Sequence, residues 1–254
     1  MSLKTKDQSF LTETEQDAAL EYAKIALDYG IKVSLFISGK AVIEQPDKIK
    51  TLYKMDNVEL GGHNFYCFKP KYFYALCRRL LNLANGPEFF QSWEILKTKK
   101  TLRKLLGIDI NSWRNHGYRR DKNTNRLLAK CGIQVVSDEV GPKYEGAYLV
   151  YPNLWSLPVN VMPDHDHLIH NGTIGTHSAG KRSLFNRELY SVNDWYEIIK
   201  NQTKVLLNLG HIAVLLVHPC CMKVSDNFQT FKTYCKFISK FESYFVSEIV
   251  QKSV

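Results

Sequence analysis

Several marks of membrane and secreted proteins are missing from this sequence of 254 residues. No run approaches the roughly 20 apolar residues that span a bilayer. The opening segment, MSLKTKDQSF, lacks the apolar centre of a secretory signal. The six cysteines form no CxxC pair and no regular framework, which is typical of reduced thiols. We therefore expect a cytoplasmic protein without a transmembrane segment.

The composition excludes intrinsic disorder, because 44% of the residues are hydrophobic and 23% are charged. A chain of this length buries a substantial core without disulfides. The 34 basic residues outnumber the 25 acidic ones and give a net charge of +9, which favours anionic ligands. No nucleic-acid-binding motif accompanies this charge. We therefore expect no nucleic acid partner.

Predicted helices alternate with short predicted strands, a pattern typical of parallel βαβ units and the α/β class. No interdomain linker interrupts the pattern, so we expect a single domain over residues 1–254. The predicted strands are 31–37, 58–60, 108–113, 133–136, 147–150, 157–161 and 211–217.

Residues suited to catalysis follow these predicted strands. His63 follows the second strand, Arg114 and His116 the third, Asp138 the fourth and His218 the last. In parallel α/β folds, function gathers at the carboxyl ends of the strands. The placement therefore predicts an enzyme.

Five segments in this order resemble the motifs of the polysaccharide deacetylases, also called the NodB-homology family or carbohydrate esterase family four. They are YGIKVSLFISGKAV, VELGGHNFYC, SWRNHGY, LLAKCGIQVVSD and IAVLLVHP. The resemblance, to a divergent subgroup, implies a distorted (β/α) barrel of about seven strands that forms one catalytic domain. It also implies metal-dependent removal of an acyl group from an N-acylated sugar or glycan precursor.

By this resemblance His63 is a ligand of a divalent metal, most often zinc. The family's second metal histidine falls at Cys67, four residues later. A cysteine thiolate also binds zinc, so a His/Cys pair is chemically possible. The alternative is that Cys67 is a small buried hydrophobe.

The family's Asp-Asp pair, which supplies the base and a metal ligand, is absent. The nearest match is FLTETE, residues 10–15, read as a strand that ends in acids. This alignment gives Glu13 the base position and Thr14 the metal position, while Glu15 could reach the metal instead. The alternative is that these residues only form the acidic start of the following helix.

A loop dense in histidine and aspartate, PDHDHLIH at 163–170, offers compensation for these losses. We expect His165 to bind the metal, and His167 and His170 to bind substrate. Whether the loop supplies metal ligands, hydrogen bonds to a sugar or only loop structure stays open at this point.

The resemblance assigns further roles at the strand ends. Arg114 would orient the base carboxylate, with Asp138 as its charge partner, and His116 would contact substrate. The backbone N–H of Tyr118 or a neighbour would face the developing oxyanion. His218 would be the catalytic acid. The alternatives are a strand-end salt bridge for the first pair and a neutral structural histidine for His218.

The sequence thus predicts a metal-dependent carbohydrate deacetylase, for which a phosphate-linked or acidic sugar fits the basic charge. The alternative is a catalytically inactive relative that binds a saccharide or regulates a partner. The lost Asp-Asp pair and the lost second histidine favour that alternative.

Overall fold

The computed structural model describes residues 11–67, 69–164, 167–168, 185 and 188–252. The chain divides into two compact units, each assembled from separate segments. The helical unit comprises Met1–Lys32, Val140–Gly146 and Pro158–Ser243, and the sheet unit comprises Val33–Glu139, Ala147–Leu157 and Tyr244–Val254. The single catalytic domain over residues 1–254 stays a prediction.

A six-stranded sheet forms the centre of the sheet unit, in the order β1-β2-β3-β4-β6-β5. Every neighbouring pair is parallel except β5 and β6. The sheet is open within the described residues, and the predicted α/β class is confirmed. The strands are β1 Val33–Ile37, β2 Val58–Gly62, β3 Ser112–Trp113, β4 Val135–Val136, β5 Tyr148–Tyr151 and β6 Leu154–Ser156.

Six helices accompany this sheet. Residues 41–53 form parts of two helices, because Pro46 begins a new helix and cannot continue the old one. The turn at residues 85–87 separates two further helices. The helices are α2 Gly39–Glu44, α3 Pro46–Tyr53, α4 Lys71–Leu81, α5 Glu88–Leu106, α6 Thr124–Lys130 and α10 Val246–Lys252.

Two glycines at the end of β2 leave room for buried side chains in the core of the sheet unit. Trp113 on β3 is fully buried, and a Cβ atom at Gly62 would overlap its ring. A Cβ atom at Gly61 would lie 2.7 Å from both the Phe36 ring and the Ser112 hydroxyl. The Gly-Gly pair therefore lets β2 lie close to its neighbours directly before His63.

The helical unit contains α1 Glu15–Asp28, α7 Val192–Asn208, α8 Pro219–Asp226 and α9 Gln229–Ile238. The Tyr22 and Phe231 rings stack between α1 and α9, with centroids 4.1 Å apart. Trp195 on α7 is buried and donates to the Met162 carbonyl over 3.2 Å. Among the described helices, none combines the length with the hydropathy that a bilayer-spanning segment needs.

Two predicted strands are wrong. Residues 157–161 follow β6 instead of forming a strand, and residues 211–217 adopt no strand. Side-chain bonds accompany irregular backbone bonds there. Asn160 donates from its side chain to the Ile212 carbonyl over 2.8 Å and accepts from the Val214 N–H over 2.8 Å, while the Asn160 and Val161 N–H groups both donate to the Val214 carbonyl. Residues 211–217 are mostly apolar but form no regular strand. Within this segment, the side chain of Leu216 is buried.

Candidate functional site

Backbone hydrogen bonds in the sheet unit continue past the strands and align the residues that follow. The His63 N–H donates to the Ile37 carbonyl over 3.1 Å, and the Arg114 N–H to the Gly62 carbonyl over 3.0 Å. The Ser137 N–H donates to the Trp113 carbonyl over 3.0 Å. The polar residues after β2, β3 and β4 therefore lie at one edge of the sheet.

Three half-buried side chains at this edge form a group that could hold a metal ion: His63, Cys67 and His116. Their ligand atoms all lie within 4.8 Å of one another. His63 Nε2 lies 3.1 Å from His116 Nδ1, while His63 Nδ1 lies 2.7 Å from the Arg114 carbonyl. A carbonyl only accepts, so Nδ1 carries the proton and Nε2 presents a lone pair toward His116.

The donor atoms fit a divalent metal. Two nitrogen ligands at about 2.0–2.1 Å from a tetrahedral ion stand roughly 3.3 Å apart, close to the observed 3.1 Å. Cys67 Sγ donates to the His63 carbonyl over 3.4 Å, as a thiol does. It would release this proton on binding a metal, since the thiolate is the ligand. His116 is predicted to bind substrate. In the structure it lies beside the two predicted metal ligands, His63 and Cys67.

Glu94 on α5 holds the loop that carries His63 and Cys67. Its carboxylate accepts from the Tyr66 N–H over 3.0 Å and from the Asn64 amide over 3.2 Å. Asn64 in turn accepts from the His116 N–H over 2.8 Å. Burial raises the pKa of Glu94 against these hydrogen bonds, which lower it. One buried carboxylate thus supports both histidines.

The backbone of this loop is strained at two residues. Asn64 and Cys67 both have φ of 50°, in the left-handed region, where asparagine is tolerated better than cysteine. Such conformations persist where the surroundings impose them and are common at functional sites. Glu94 could not be identified from the sequence, because it lies on a predicted helix and belongs to no recognisable motif.

Arg114 and Asp138 occupy adjacent positions on the same edge. Arg114 donates to the Ser137 carbonyl over 2.8 Å and to its hydroxyl over 2.6 Å. Asp138 accepts from the Asn115 N–H over 2.6 Å and from its side-chain amide over 2.5 Å. Burial raises the pKa of Asp138 to about 6, while the bonds from Asn115 and the charge of Arg114 lower it. The roles predicted for both residues stay predictions.

A backbone hydrogen bond closes the turn at His116–Tyr118. The Tyr118 N–H donates to the Asn115 carbonyl over 3.0 Å. Gly117 and Tyr118 both have positive φ, 61° and 55°. The N–H predicted to face an oxyanion is therefore used within the turn, which directs His116 toward His63 instead.

In the helical unit, His218 is paired with Asp164. The His218 ring nitrogen Nδ1 lies 2.8 Å from Asp164 Oδ1, and the His218 N–H donates to Oδ2 over 2.7 Å. The Asp164 side chain is fully buried, whereas that of His218 is 41% exposed. A carboxylate on Nδ1 fixes the tautomer and leaves Nε2 as the atom that exchanges a proton.

A second group able to hold a metal ion surrounds this pair: Asp164, His218 and Cys221. Neighbouring Cys220 has its pKa lowered, chiefly by a hydrogen bond from Cys221, while burial raises it and His218 lowers it. In the sequence, Asp164 is only one residue of the loop dense in histidine and aspartate. It lies 54 residues before His218, and no local pattern indicates that the two side chains meet.

The strand predicted to carry Glu13 and Glu15 is wrong for the described residues 11–14, which form no strand. Thr14 caps α1, accepting from the Asp17 N–H over 3.3 Å while donating to its carboxylate over 2.7 Å. Glu15 begins the helix. Glu13 lies 3.6 Å from Lys223 Nζ. Thr14 and Glu15 therefore form the start of a helix, as the alternative describes, while the base role of Glu13 and the metal role of Glu15 stay predictions.

The histidine-rich loop is described only in part. His167 is fully buried, and its Nδ1 lies 3.0 Å from the Glu188 carbonyl. Its N–H donates to the Asp164 carbonyl over 3.1 Å, so it takes part in the structure of the loop. His165 and His170 lie outside the described residues.

Comparisons with known proteins were made by sequence and by structure. No protein-family profile matches the sequence. No curated protein matches it either. Solved structures do match over almost the whole chain.

A Mycobacterium smegmatis protein described as a polysaccharide deacetylase has a TM-score of 0.72 at 13% identity, over 98% of this chain and 81% of its own. PuuE allantoinase has a TM-score of 0.65 at 17% identity, over 96% and 74%. A carbohydrate esterase family four pseudoenzyme from Bacillus anthracis has a TM-score of 0.53 at 10% identity, over 94% and 62%.

At these identities the likeness is one of fold. The resemblance noted in the five sequence segments is confirmed at that level, by structures of deacetylases and of carbohydrate esterase family four members. The chain is therefore a divergent protein with the polysaccharide deacetylase fold.

Proposed function

We propose that this protein is a metal-dependent hydrolase that removes the acyl group of an N-acylated sugar or glycan precursor. The observation that carries the proposal is the group His63, Cys67 and His116 at the carboxyl ends of β2 and β3, in a chain with the deacetylase fold. Two imidazole nitrogens and one thiolate form a donor set that suits zinc.

A bound divalent ion would act as a Lewis acid toward the acyl carbonyl and toward water. The chain's own residues supply the proton transfers. His218 would hold a proton at Nε2 for the leaving amine, because Asp164 accepts the hydrogen bond from Nδ1. Glu13 is the proposed base and Arg114 its proposed orienting group.

The net charge of +9 favours an acidic or phosphate-linked sugar. A cytoplasmic location, expected from the sequence, would suit a glycan precursor better than a finished polymer. One structural neighbour is named an allantoinase, so the substrate panel should contain allantoin beside the N-acyl sugars.

The first experiment is metal titration by calorimetry, with zinc, cobalt and manganese, followed by assays of free amine release from N-acyl sugars. We expect one bound ion in the wild-type protein. His63→Ala and His116→Ala should each remove tight binding, and Cys67→Ser should weaken it by on the order of tenfold to a hundredfold. His211→Ala, outside the group, is the matched control.

Turnover that requires the metal and disappears in His63→Ala supports the proposal. Metal affinity unchanged in all three variants would remove the group from the site. Turnover that survives complete chelation would contradict metal dependence itself.

An inactive saccharide-binding protein is the second candidate function. Its support is Thr14, which the sequence resemblance puts at the family's metal-aspartate position and which uses its hydroxyl to cap α1. A pseudoenzyme also occurs among the structural neighbours. Saccharide binding with a bound metal but without amine release would favour this candidate.

A further inference from the structure

One segment of the protein has a strong excess of basic residues, two of which, Lys99 and Arg103, pair with Asp109 just outside it. Residues 69–104 contain nine basic and two acidic residues, whereas the whole chain has a net charge of +9. Of the two acids, Glu94 is fully buried, and Glu88 is paired with Arg126 over 2.6 Å. The segment comprises α4, α5 and the turn between them, all within the sheet unit.

The same two helices expose large apolar side chains. Seven of the fifteen most exposed large apolar residues in the described chain fall between residues 72 and 96. Six of them follow the helical repeat, at i, i+4 and i+8 on α4 and at i, i+4 and i+7 on α5. These six, the apolar face, are 41–90% exposed: Tyr72, Leu76, Leu80, Phe89, Trp93 and Leu96.

The beginning of α4 packs against the turn that leads into α5. The Phe73 and Phe90 rings pack with centroids 5.0 Å apart. A Cβ atom at Gly86 would lie 3.2 Å from Phe73 and 3.3 Å from Phe90. Gln91 donates to the Gly86 carbonyl over 2.7 Å. The beginning of α4 is therefore tied to the beginning of α5.

Cations lie directly beside the apolar row of α4. Lys71 and Arg79 are exposed; Arg79, three residues after Leu76, is its neighbour on the helix surface, and Lys71 is the first residue of α4, directly before Tyr72. On α5, exposed Lys100 continues the row of Leu96. Exposed leucines and aromatic rings flanked by cations are the features of a surface that enters the headgroup region of an anionic membrane.

We propose that the apolar face and its flanking cations dock the protein on an anionic lipid surface. The cations attract the headgroups, and the leucine and aromatic side chains enter the boundary of the acyl chains. Nucleic acid fits less well, because leucines contribute neither charge nor stacking to it. A second copy of the chain would bring the same cations together, since a twofold interface repeats one surface. The proposal does not rest on the proposed function.

The test is flotation of the purified protein with vesicles of phosphatidylcholine alone or mixed equally with phosphatidylglycerol. We expect binding only to the mixed vesicles, and weaker binding as salt shortens the screening length. Leu76→Gln with Leu80→Gln should lower the affinity tenfold or more. Lys71→Gln with Arg79→Gln should lower it by a similar factor, since each cation near the surface contributes about fivefold.

Two matched pairs control for the changes themselves. Val205→Gln with Leu209→Gln alters two exposed apolar residues four apart in the helical unit, and Lys24→Gln with Lys236→Gln removes the same charge there. Both controls should bind as the wild type does, and all four variants should keep the melting temperature because the residues are exposed.

Equal loss in the control pairs would assign binding to net charge alone and overturn the proposal. Failure of the wild-type protein to bind either kind of vesicle would also overturn the proposal. A dimer that Leu76→Gln with Leu80→Gln dissociates, without vesicle binding, would assign the apolar face to self-association instead. Binding to an oligonucleotide that only the charge variant abolishes would assign the cations to nucleic acid. Retained vesicle binding with no N-acyl sugar hydrolysis would refute the proposed function alone.

Discussion

At the scale of single residues, the buried carboxylate of Asp164 is the group that His218 depends on. Both carboxylate oxygens accept from His218, one from the ring and one from the backbone N–H. Asp164→Asn would replace one acceptor by an amide donor, so the ring loses its orientation. We expect turnover of an N-acyl sugar to fall by ~100-fold or more.

The pH profile of kcat distinguishes this positioning role from simple damage to the fold. Asp164→Asn should change the side of the pH profile that depends on His218, while the metal content of the protein stays the same. A profile with the wild-type shape and only a lower maximum would contradict the assignment. Asp194→Asn, an exposed carboxylate at the start of α7 in the same unit, is the control.

At the scale of elements, close approach of β2 and β3 depends on Gly62. A Cβ atom there would overlap the ring of buried Trp113. We expect Gly62→Ala to lower the free energy of unfolding by about 1–3 kcal/mol, the usual cost of overpacking a core. Urea unfolding measures it. Gly146→Ala, where a Cβ atom meets nothing within 4 Å, should be nearly neutral, and an equal loss in both variants would contradict this explanation.

The helix α5 supports the candidate metal group through Glu94. Glu94→Gln would present an amide donor to one of the groups that donate to this carboxylate, among them the Tyr66 N–H and the Asn64 amide. We expect metal affinity to fall by about tenfold to a hundredfold, as for other residues that orient metal ligands. Calorimetry measures it, with Glu88→Gln on the exposed side of the same helix as the control. Unchanged affinity would remove Glu94 from this role.

At the scale of the whole molecule, the raised pKa of Asp138 makes stability depend on pH. Burial raises this pKa from 3.8 to about 6, so the folded state binds a proton more tightly than the unfolded state does. The stabilisation by the proton is present below pH 3.8 and is lost as the pH rises through about 6. The two pKa values correspond to about 3 kcal/mol at most.

Comparison with Asp138→Asn isolates this contribution, because the variant cannot titrate at this position. We expect the stability advantage of the wild type over the variant to shrink between pH 4 and pH 7 in urea unfolding. Parallel curves for the two proteins would contradict the raised pKa.

Much of the fold could be predicted from local patterns. The helices at 15–28, 71–81, 88–106 and 192–208 follow apolar periodicity and turn residues, which act over a few neighbouring positions. The segment predicted as a strand at 211–217 forms no regular strand. The Asn160 side chain bonds to its backbone, beside the bonds from the Asn160 and Val161 N–H groups to the Val214 carbonyl, and such contacts between distant residues leave no local mark.

The candidate site shows the same division. His63, Arg114 and His116 could be placed from the sequence because parallel strands bring the residues that follow them to one edge. That His116 lies beside His63 depends on the turn at Gly117 and on the hydrogen bond from its N–H to Asn64. The support from Glu94 likewise requires α5 to pack on the loop.

By itself, the sequence determined the α/β class, the long helices and the residue types available for metal binding and proton transfer. Those depend on composition and on periodicities of two to four residues. Only the tertiary structure decided which of them meet: His63 with His116, and His218 with Asp164. Such pairs join residues more than fifty positions apart, and their geometry results from the packing of whole elements, which no local pattern encodes.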